Sequence, residues 1–167
     1  MKFFKIIMTL VFIVTVCGCI SNKENSSQLL TSIVNEYQDH EGYDEKEFPL
    51  GLFTKKFYQS EADFAKTILT KLSEVSEMAL SETEVISLKL LKFKLKDQID
   101  YFTFERFLNP LLSDAGFHSN LNYSVRPLSS YKAAKNYLNK LNAIPVFVDQ
   151  HFVNLREGLE KGVSQPK

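Results

Sequence analysis

Residues 81–102 read SETEVISLKLLKFKLKDQIDYF. Ser81 and Glu84 form the pattern of a capping box, in which the serine hydroxyl accepts a hydrogen bond from a backbone N–H and the glutamate reaches back to the serine N–H. Behind this box, apolar residues recur at intervals of three and four, the spacing of one helix face: Leu88, Leu91, Leu95, Ile99 and Phe102. The stretch therefore predicts a long amphipathic helix, and we expect an all-α protein around it.

Three further apolar residues widen this helix face: Ile86, Leu90 and Phe93. A helix with so broad an apolar surface is expected to be covered on two sides. The alternation in Phe93-Lys94-Leu95-Lys96 also fits a half-buried strand. We favour a helix because neither Gly nor Pro occurs between Leu52 and Asn109, and we expect it to end at Asn109-Pro110.

The flanking sequence predicts an antiparallel helical array with irregular loops. Ser60-Glu61-Ala62-Asp63 is typical of a capped helix start, so a helix from Ser60 is expected to pair with the one after Ser81. Ser113 to Pro127 is predicted to be a loop. A last helix is expected to start at Ser129 or Ser130, to break or kink at Pro145 and to end at Gly162. Its expected inward-facing residues are Ala134, Tyr137, Leu138, Leu141, Val148, Phe152, Leu155 and Leu159.

The first nineteen residues have the layout of a secretory signal. Lys2 and Lys5 precede an apolar run from Ile6 to Val16, and Cys17-Gly18-Cys19 follows. This ending resembles the bacterial lipobox, in which the cysteine after a small residue is acylated and becomes the mature N-terminus. A plain cleaved signal and a transmembrane helix are the alternatives, but the run is shorter than the roughly 20 apolar residues that span a bilayer.

We therefore predict a lipoprotein signal peptide over residues 1–18, lipidation at Cys19 and a lipidated tether over residues 19–28. The lipid anchor would make the membrane a partner of the protein and place it in the bacterial cell envelope. No aspartate follows Cys19, so the inner-membrane retention signal of some lipoproteins is absent, which favours the outer membrane and the periplasmic side. A helical domain is predicted over residues 29–167, starting with a short helix capped by Ser26 or Ser27.

Composition limits the classes of function. The chain has 20 basic and 20 acidic residues, and loss of residues 1–18 would leave 18 basic and 20 acidic. This near-neutral balance gives no field that attracts nucleic acid, so no nucleic-acid partner is expected. Cys17 and Cys19 are the two cysteines. With one removed and the other lipidated, the mature chain would have no thiol for a disulfide, a nucleophile or a metal ligand.

No catalytic, metal-ligating or cofactor-binding residues are predicted. His40-Glu41-Gly42-Tyr43-Asp44 resembles the His-Glu-x-x-His zinc motif, but its second histidine is replaced by an aspartate and a glycine interrupts it, so a solvated loop is expected. His118 stands in the predicted loop. His151, close to Asp149, is expected to be a partly buried histidine with satisfied hydrogen bonds. No phosphate-binding loop and no Gly-x-Ser-x-Gly elbow occurs.

Four stretches within roughly the last 80 residues follow one another in a recognisable order: Ile86-Ser87-Leu88-Lys89-Leu90-Leu91, Phe107-Leu108-Asn109-Pro110-Leu111, Gly116-Phe117-His118 and residues 137–145. In these stretches the chain resembles the bacterial family known as domain of unknown function 885, and the resemblance is weak before about residue 60. Its most specific part is residues 154–163, NLREGLEKGV, followed by Pro166-Lys167. The resemblance implies a mostly helical protein of several hundred residues, similar to zinc metallopeptidases, with a His-Glu and a Gly-His motif downstream of this signature.

Two functional interpretations follow. The family's metal-binding motifs would lie beyond Lys167, so we expect the chain to be the truncated leading part of a peptidase-like, lipid-anchored protein, inactive alone. Whether it belongs to an enzyme is left open. The alternative is a self-contained small helical lipoprotein with a binding or structural role in the envelope, whose protein partner is unknown.

Overall fold

The computed structural model describes residues 25–111, 116–120 and 128–163. Cys19 and the predicted signal peptide lie outside these ranges. Five α-helices are described: α1 over residues 25–38, α2 Lys55–Leu72, α3 Glu82–Thr103, α4 Phe117–Asn120 and α5 Tyr131–Glu160. Two short 3-10 turns, Glu77–Ala79 and Arg106–Leu108, precede and follow α3.

The predicted all-α class is confirmed. Within the three described ranges no residue lies in a β-strand, and Phe93 to Lys96 are part of α3. None of the helices in those ranges is both long enough and apolar enough to span a bilayer. The described residues pack as two compact units, one formed by those within 25–40 and 65–96 and the other by those within 41–64 and 97–163, so α2 and α3 each contribute to both.

Two predicted helix starts are confirmed by their hydrogen bonds. The Ser81 N–H donates to Glu84 Oε2 at 2.7 Å, and the Glu84 N–H donates to Ser81 Oγ at 3.4 Å, which completes the capping box of α3. At the start of α5, Ser130 Oγ accepts from the Ala133 N–H at 3.1 Å. Helix α5 is continuous through Pro145, so the predicted break there does not occur.

The predicted start of α2 and the predicted end of α3 are wrong. Helix α2 starts at Lys55, because the Thr54 hydroxyl accepts from the Phe57 N–H at 3.2 Å and caps the helix before Ser60. Helix α3 ends at Thr103, before the predicted Asn109-Pro110. Glu105 follows in the left-handed region with φ of 49°, and the turn that it starts buries Phe107 and Leu108 almost completely.

In the unit formed by residues 25–40 and 65–96, α1 runs parallel to α3. The Ser27 hydroxyl donates to the Glu84 carboxylate, and ten residues later the Lys94 ammonium lies 5.5 Å from the centre of the Tyr37 ring. In both pairs the two residues are 57 positions apart, as expected for parallel helices. The buried apolar residues of this unit are Leu30, Ile33, Ala65, Ile68, Leu72, Val75, Leu88 and Leu95.

Helix α1 includes the last four residues of the predicted tether. Residues 25–28 are helical, and Ser26 and Ser27 lie inside α1 and do not cap it. The Ser27 side chain is engaged by Glu84 of α3, and its carbonyl accepts from the Thr31 hydroxyl at 2.9 Å. Of the predicted tether, residues 19–24 lie outside the described part of the chain.

The expectation that α3 is covered on two sides is wrong. Leu88 and Leu95 are fully buried, whereas Ile86, Leu90 and Phe93 are 59%, 63% and 72% exposed. The spacing of these three residues places them on the side of the helix opposite the buried pair. The structure therefore has an apolar face on α3 that no described residue covers.

In the unit formed by residues 41–64 and 97–163, the first part of α2 is antiparallel to the last part of α3. The Tyr58 and Tyr101 rings lie 5.2 Å apart between centroids, and Gln98 Nε2 donates to Glu61 Oε2 at 3.0 Å. The position on α2 advances by three residues between the two pairs, whereas the position on α3 goes back by three, as antiparallel pairing requires. This confirms the predicted antiparallel pairing of the two helices.

The buried face of α5 differs from the predicted one by one residue. Phe147, His151, Asn154 and Gly158 are buried, whereas the neighbouring Phe152 and Leu159 are 46% and 66% exposed. Earlier in the helix, the predicted inward-facing Leu138 and Leu141 are also exposed. Which face of α5 is buried thus depends on the contacts that its side chains make and not on how apolar they are.

Candidate functional site

His151 lies in a cage of phenylalanine rings. Phe117 of α4 stacks on the imidazole with 4.4 Å between ring centroids and 16° between the ring planes. Phe53, which precedes α2, lies 4.5 Å away, and Phe147 meets the imidazole edge-on at 4.7 Å one turn earlier in α5. Three separate segments therefore surround one titratable side chain.

The His151 side chain is buried without a hydrogen-bond partner. It is 4% exposed, and neither ring nitrogen has a partner in the described part of the chain. Asp149 cannot supply one, since a residue two positions away points to another side of the helix. Burial lowers the pKa of His151 to about 4 because the charged imidazolium would lose its hydration. The prediction of a satisfied histidine is therefore wrong, and the imidazole is neutral at physiological pH.

The backbone of Phe53 is held on both sides by side chains of α5. Its N–H donates to Gln150 Oε1 at 2.5 Å, and its carbonyl accepts from Asn154 Nδ2 at 2.7 Å. Gln150 and Asn154 flank His151 on the helix. These two amides fix the segment before α2 and so hold the Phe53 ring against the imidazole.

A cavity of about 350 Å³ lies next to this cage. One wall is the segment 46–51, which turns where the Gly51 N–H donates to the Phe48 carbonyl at 2.9 Å and Gly51 adopts a φ of 101°. The opposite wall is α5, which contributes Asn139, Asn142, Val146, Phe147 and Gln150. Phe147 and Gln150 therefore belong to both the cavity and the surroundings of His151.

The side chains around the cavity combine hydrogen-bonding, charged and apolar groups. Carboxamides of Asn139, Asn142 and Gln150 can donate and accept hydrogen bonds, and Lys46 and Glu47 add one charge of each sign. Phe48, Pro49 and Val146 supply apolar surface.

The described residues do not fit a zinc site of the kind implied by the resemblance to metallopeptidases. Nowhere in residues 25–111, 116–120 and 128–163 do three or more His, Cys, Asp or Glu side chains cluster as ligands. His40 lies in an exposed segment after α1, where Asp44 Oδ1 accepts from the Lys46 N–H at 2.7 Å. His118 is exposed on α4, and Phe117, not His118, contacts His151.

The segment Asn154-Leu155-Arg156-Glu157-Gly158 has clear packing roles. Asn154 binds Phe53, and Gly158 lies against the Leu108 backbone, where an added Cβ would be 2.6 Å from the carbonyl oxygen. Glu157 accepts from Lys55 Nζ at 2.6 Å and lies 2.9 Å from Lys161 Nζ. Hydrogen bonds from both lysines, Lys55 first, hold the pKa of the Glu157 carboxyl below its usual range.

The end of α5 is closed by the glycine of the Gly162-Val163 pair. Gly162 has a φ of 78°, and the Val163 N–H donates to the Gly158 carbonyl at 2.8 Å, as in a helix ending with a left-handed residue. The predicted C-cap role of Gly162 is confirmed. Residues 154–163 thus join α5 to the segments 53–55 and 105–108.

These residues are also the ones on which the resemblance rests most. The family model described as a bacterial protein of unknown function, DUF885, matches residues 37–167. The chain belongs to this family. The match extends further toward the N-terminus than the resemblance from about residue 60 that the sequence motifs indicate. Neither the curated proteins nor the solved structures contain a match to this chain.

The sequence of this DUF885 chain does not identify Phe53, Phe117 and Phe147 as the surroundings of His151. One signal was present, since Phe147, His151, Asn154 and Gly158 follow the spacing of a helix face. The neighbouring face of α5, with Phe152 and Leu159, is more apolar, and the sequence therefore predicts that this face is buried. Nothing in the sequence indicates that Phe53, almost a hundred positions earlier, packs on His151.

Proposed function

We propose that this DUF885 chain is a lipid-anchored protein of the bacterial envelope, held by acylated Cys19 in the outer membrane and facing the periplasm. The observation that carries the proposal is the sequence itself: a charged start, an apolar run and Cys17-Gly18-Cys19. Ile20 and Ser21 favour the outer membrane because they provide no retention signal.

Lipidation is tested by labelling cells with radioactive palmitate and isolating the protein. The proposal expects label in the wild type and in Cys17→Ser, no label in Cys19→Ser, and accumulation of the precursor when the lipoprotein signal peptidase is inhibited with globomycin. Label that persists in Cys19→Ser would contradict it. Separation of inner from outer membranes on a sucrose gradient then tests the localisation.

We further propose that the helical body is the scaffold of a peptidase-like protein and does not hydrolyse peptides by itself. The support is the resemblance of the motifs up to Lys167 to a family whose members are similar to zinc metallopeptidases, in which the metal-binding motifs follow the signature at residues 154–163. The test is incubation of the purified chain with fluorescent casein, with and without added zinc. No fluorescence release is expected, and zinc-dependent release that a chelator abolishes would contradict the proposal.

A second candidate function is a self-contained lipoprotein that binds a small ligand. The cavity of about 350 Å³ favours it, because carboxamides, one ammonium and one carboxylate surround apolar surface there. This combination suits a zwitterion such as a dipeptide. A panel of dipeptides should raise the melting temperature of the wild type and have no effect on Asn142→Ala, if this function holds. No shift with any dipeptide would exclude that class of ligand.

A further inference from the structure

We propose that the face of α3 formed by Ile86, Leu90 and Phe93 rests on the lipid surface to which Cys19 attaches the chain. The inference depends on the lipid anchor proposed above and adds a second contact with the same membrane. We call these three residues the α3 apolar face.

The α3 apolar face has the shape of a membrane-contacting strip. Its residues are four and three positions apart, so they form a line about 10 Å long on one side of the helix. All three side chains are more than half exposed. The opposite side of the same helix holds the buried Leu88 and Leu95, so the apolar face is not a part of the core.

Lysines border this face on both sides. At 100° per residue, Lys89 and Lys96 lie on one side of the line and Lys94 on the other. Lys94 lies over the Tyr37 ring, and Lys92, further round the helix, pairs with Glu77 at 3.6 Å. Apolar residues bordered by lysines are typical of helices that lie in the membrane interface, where the ammonium groups reach the lipid phosphates.

Acidic residues limit the strip to residues 86–96. Glu82 stands one turn before Ile86 on the same side, and Asp97 follows Lys96 and pairs with Arg106 at 2.6 Å. A strip of three apolar side chains bordered by Lys89 and Lys96 gives weak binding when alone. It becomes effective when an anchor already holds the chain beside the bilayer, because the second contact is then intramolecular.

The position of the anchor fits this role. Helix α1 runs parallel to α3, and Ser27 near its start binds Glu84 in the first turn of α3. The six residues from Cys19 to the first described residue of α1 can span at most about 20 Å. The lipid on Cys19 therefore holds the start of α3, and with it Ile86, within reach of the bilayer surface.

The test uses the lipidated protein in vesicles that contain phosphatidylglycerol. Cys19 would be acylated, so Phe93→Cys introduces the only free thiol of the mature chain, and an environment-sensitive dye can be attached there. Thr70→Cys, at an exposed site on α2 in the same unit, is the matched control. Phe93 and Thr70 are both exposed, so both variants are expected to fold, which far-ultraviolet circular dichroism checks.

We expect lipids carrying a quencher to reduce the emission several-fold more at position 93 than at position 70. Lys89→Gln with Lys96→Gln should weaken the quenching at 93, whereas Lys135→Gln on α5 should not. Equal quenching at 93 and 70 in protein that carries palmitate would overturn this inference and leave the anchor intact. Cross-linking of position 93 to a second copy, with no quenching by lipid, would also overturn it.

A failure of the lipid-anchor proposal would give a different experimental result. If no palmitate is incorporated, the Cys19 proposal fails. The dye at position 93 or 70 is then measured after vesicles are added to the unlipidated chain, in which Cys17→Ser and Cys19→Ser remove the other two thiols. Quenching at 93 and not at 70 would support the α3 apolar face independently of the anchor. Its absence at both positions would overturn the membrane contact.

Discussion

Phe117 stacks on His151 with 4.4 Å between ring centroids, although the two residues belong to different helices. The stacking covers one face of an imidazole that Phe53 and Phe147 cover from other directions. The imidazole packs in this cage as an apolar side chain would. Unlike an apolar side chain, it can bind a proton. The stability of this unit must therefore depend on pH.

The direction of that dependence follows from the pKa of His151, which is about 4 in the folded chain against 6.5 for an ordinary histidine. Between these values the unfolded chain binds more protons, so stability is fully present above about pH 6.5 and is lost as the pH falls toward 4. The loss amounts to at most about 3 kcal/mol. Urea unfolding between pH 4 and pH 8 measures it.

His151→Phe should remove this part of the pH dependence, because a phenyl ring fills the cage and has no proton to gain. His118→Gln is the matched control, since His118 is exposed on α4. It should keep the wild-type slope. A His151→Phe variant that loses stability between pH 6.5 and 4 as steeply as the wild type would show that His151 is not the group responsible.

Gly158→Ala should destabilise the chain by about 1–3 kcal/mol, the cost of overpacking a filled site. The new Cβ would lie 2.6 Å from the Leu108 carbonyl oxygen, so the turn 106–108 must move. Glu160→Ala, at an exposed position two residues later, should change stability by less than about 0.5 kcal/mol. Thermal melts of the two variants compare them, and equal melting temperatures would refute the close contact.

Asn154→Leu should cost about 1–3 kcal/mol because it leaves the Phe53 carbonyl without its hydrogen bond. The change should also release the segment before α2 from α5. Hydrogen exchange can measure this as faster exchange of the Phe53 N–H. Asn139→Leu, an exposed carboxamide on the same helix, is the control. Unchanged exchange at Phe53 in Asn154→Leu would contradict the proposed role of Asn154.

The two sides of α3 should respond in opposite ways to substitution. Leu95→Ala, in the core, should cost about 2–5 kcal/mol. Phe93→Ser, only two positions away but 72% exposed, should change stability by less than about 0.5 kcal/mol in the absence of membranes. Denaturant titration of both variants tests this, and a large loss in Phe93→Ser would mean that the α3 apolar face is part of the core.

Local signals in the sequence predicted the helix starts with strong caps. Ser81 with Glu84, and Ser130, act through residues at most three positions away, so the sequence contains the whole interaction. The start of α2 was missed because Thr54 and Ser60 are both able to cap, and the sequence does not say which hydroxyl finds a free N–H. The end of α3 was missed because Glu105, a non-glycine residue, adopts a left-handed backbone.

Long-range contacts determine which faces of α3 and α5 are buried. The face with Phe152 and Leu159 is more apolar than the face with His151 and Asn154, yet the second is buried. Burial there depends on the hydrogen bond to Phe53 and on the small size of Gly158, which only the tertiary structure reveals. The same limit applies to Ile86, Leu90 and Phe93, because periodicity identifies an apolar face without identifying what covers it.

The most direct test of the account is intact-mass spectrometry of the protein extracted from membranes. We expect a mature chain that begins at Cys19 and carries the mass of a diacylglyceryl group and an N-terminal acyl chain. A chain that retains residues 1–18, or that starts at another residue without lipid, would contradict the membrane anchor on which the proposed location and the α3 contact both depend.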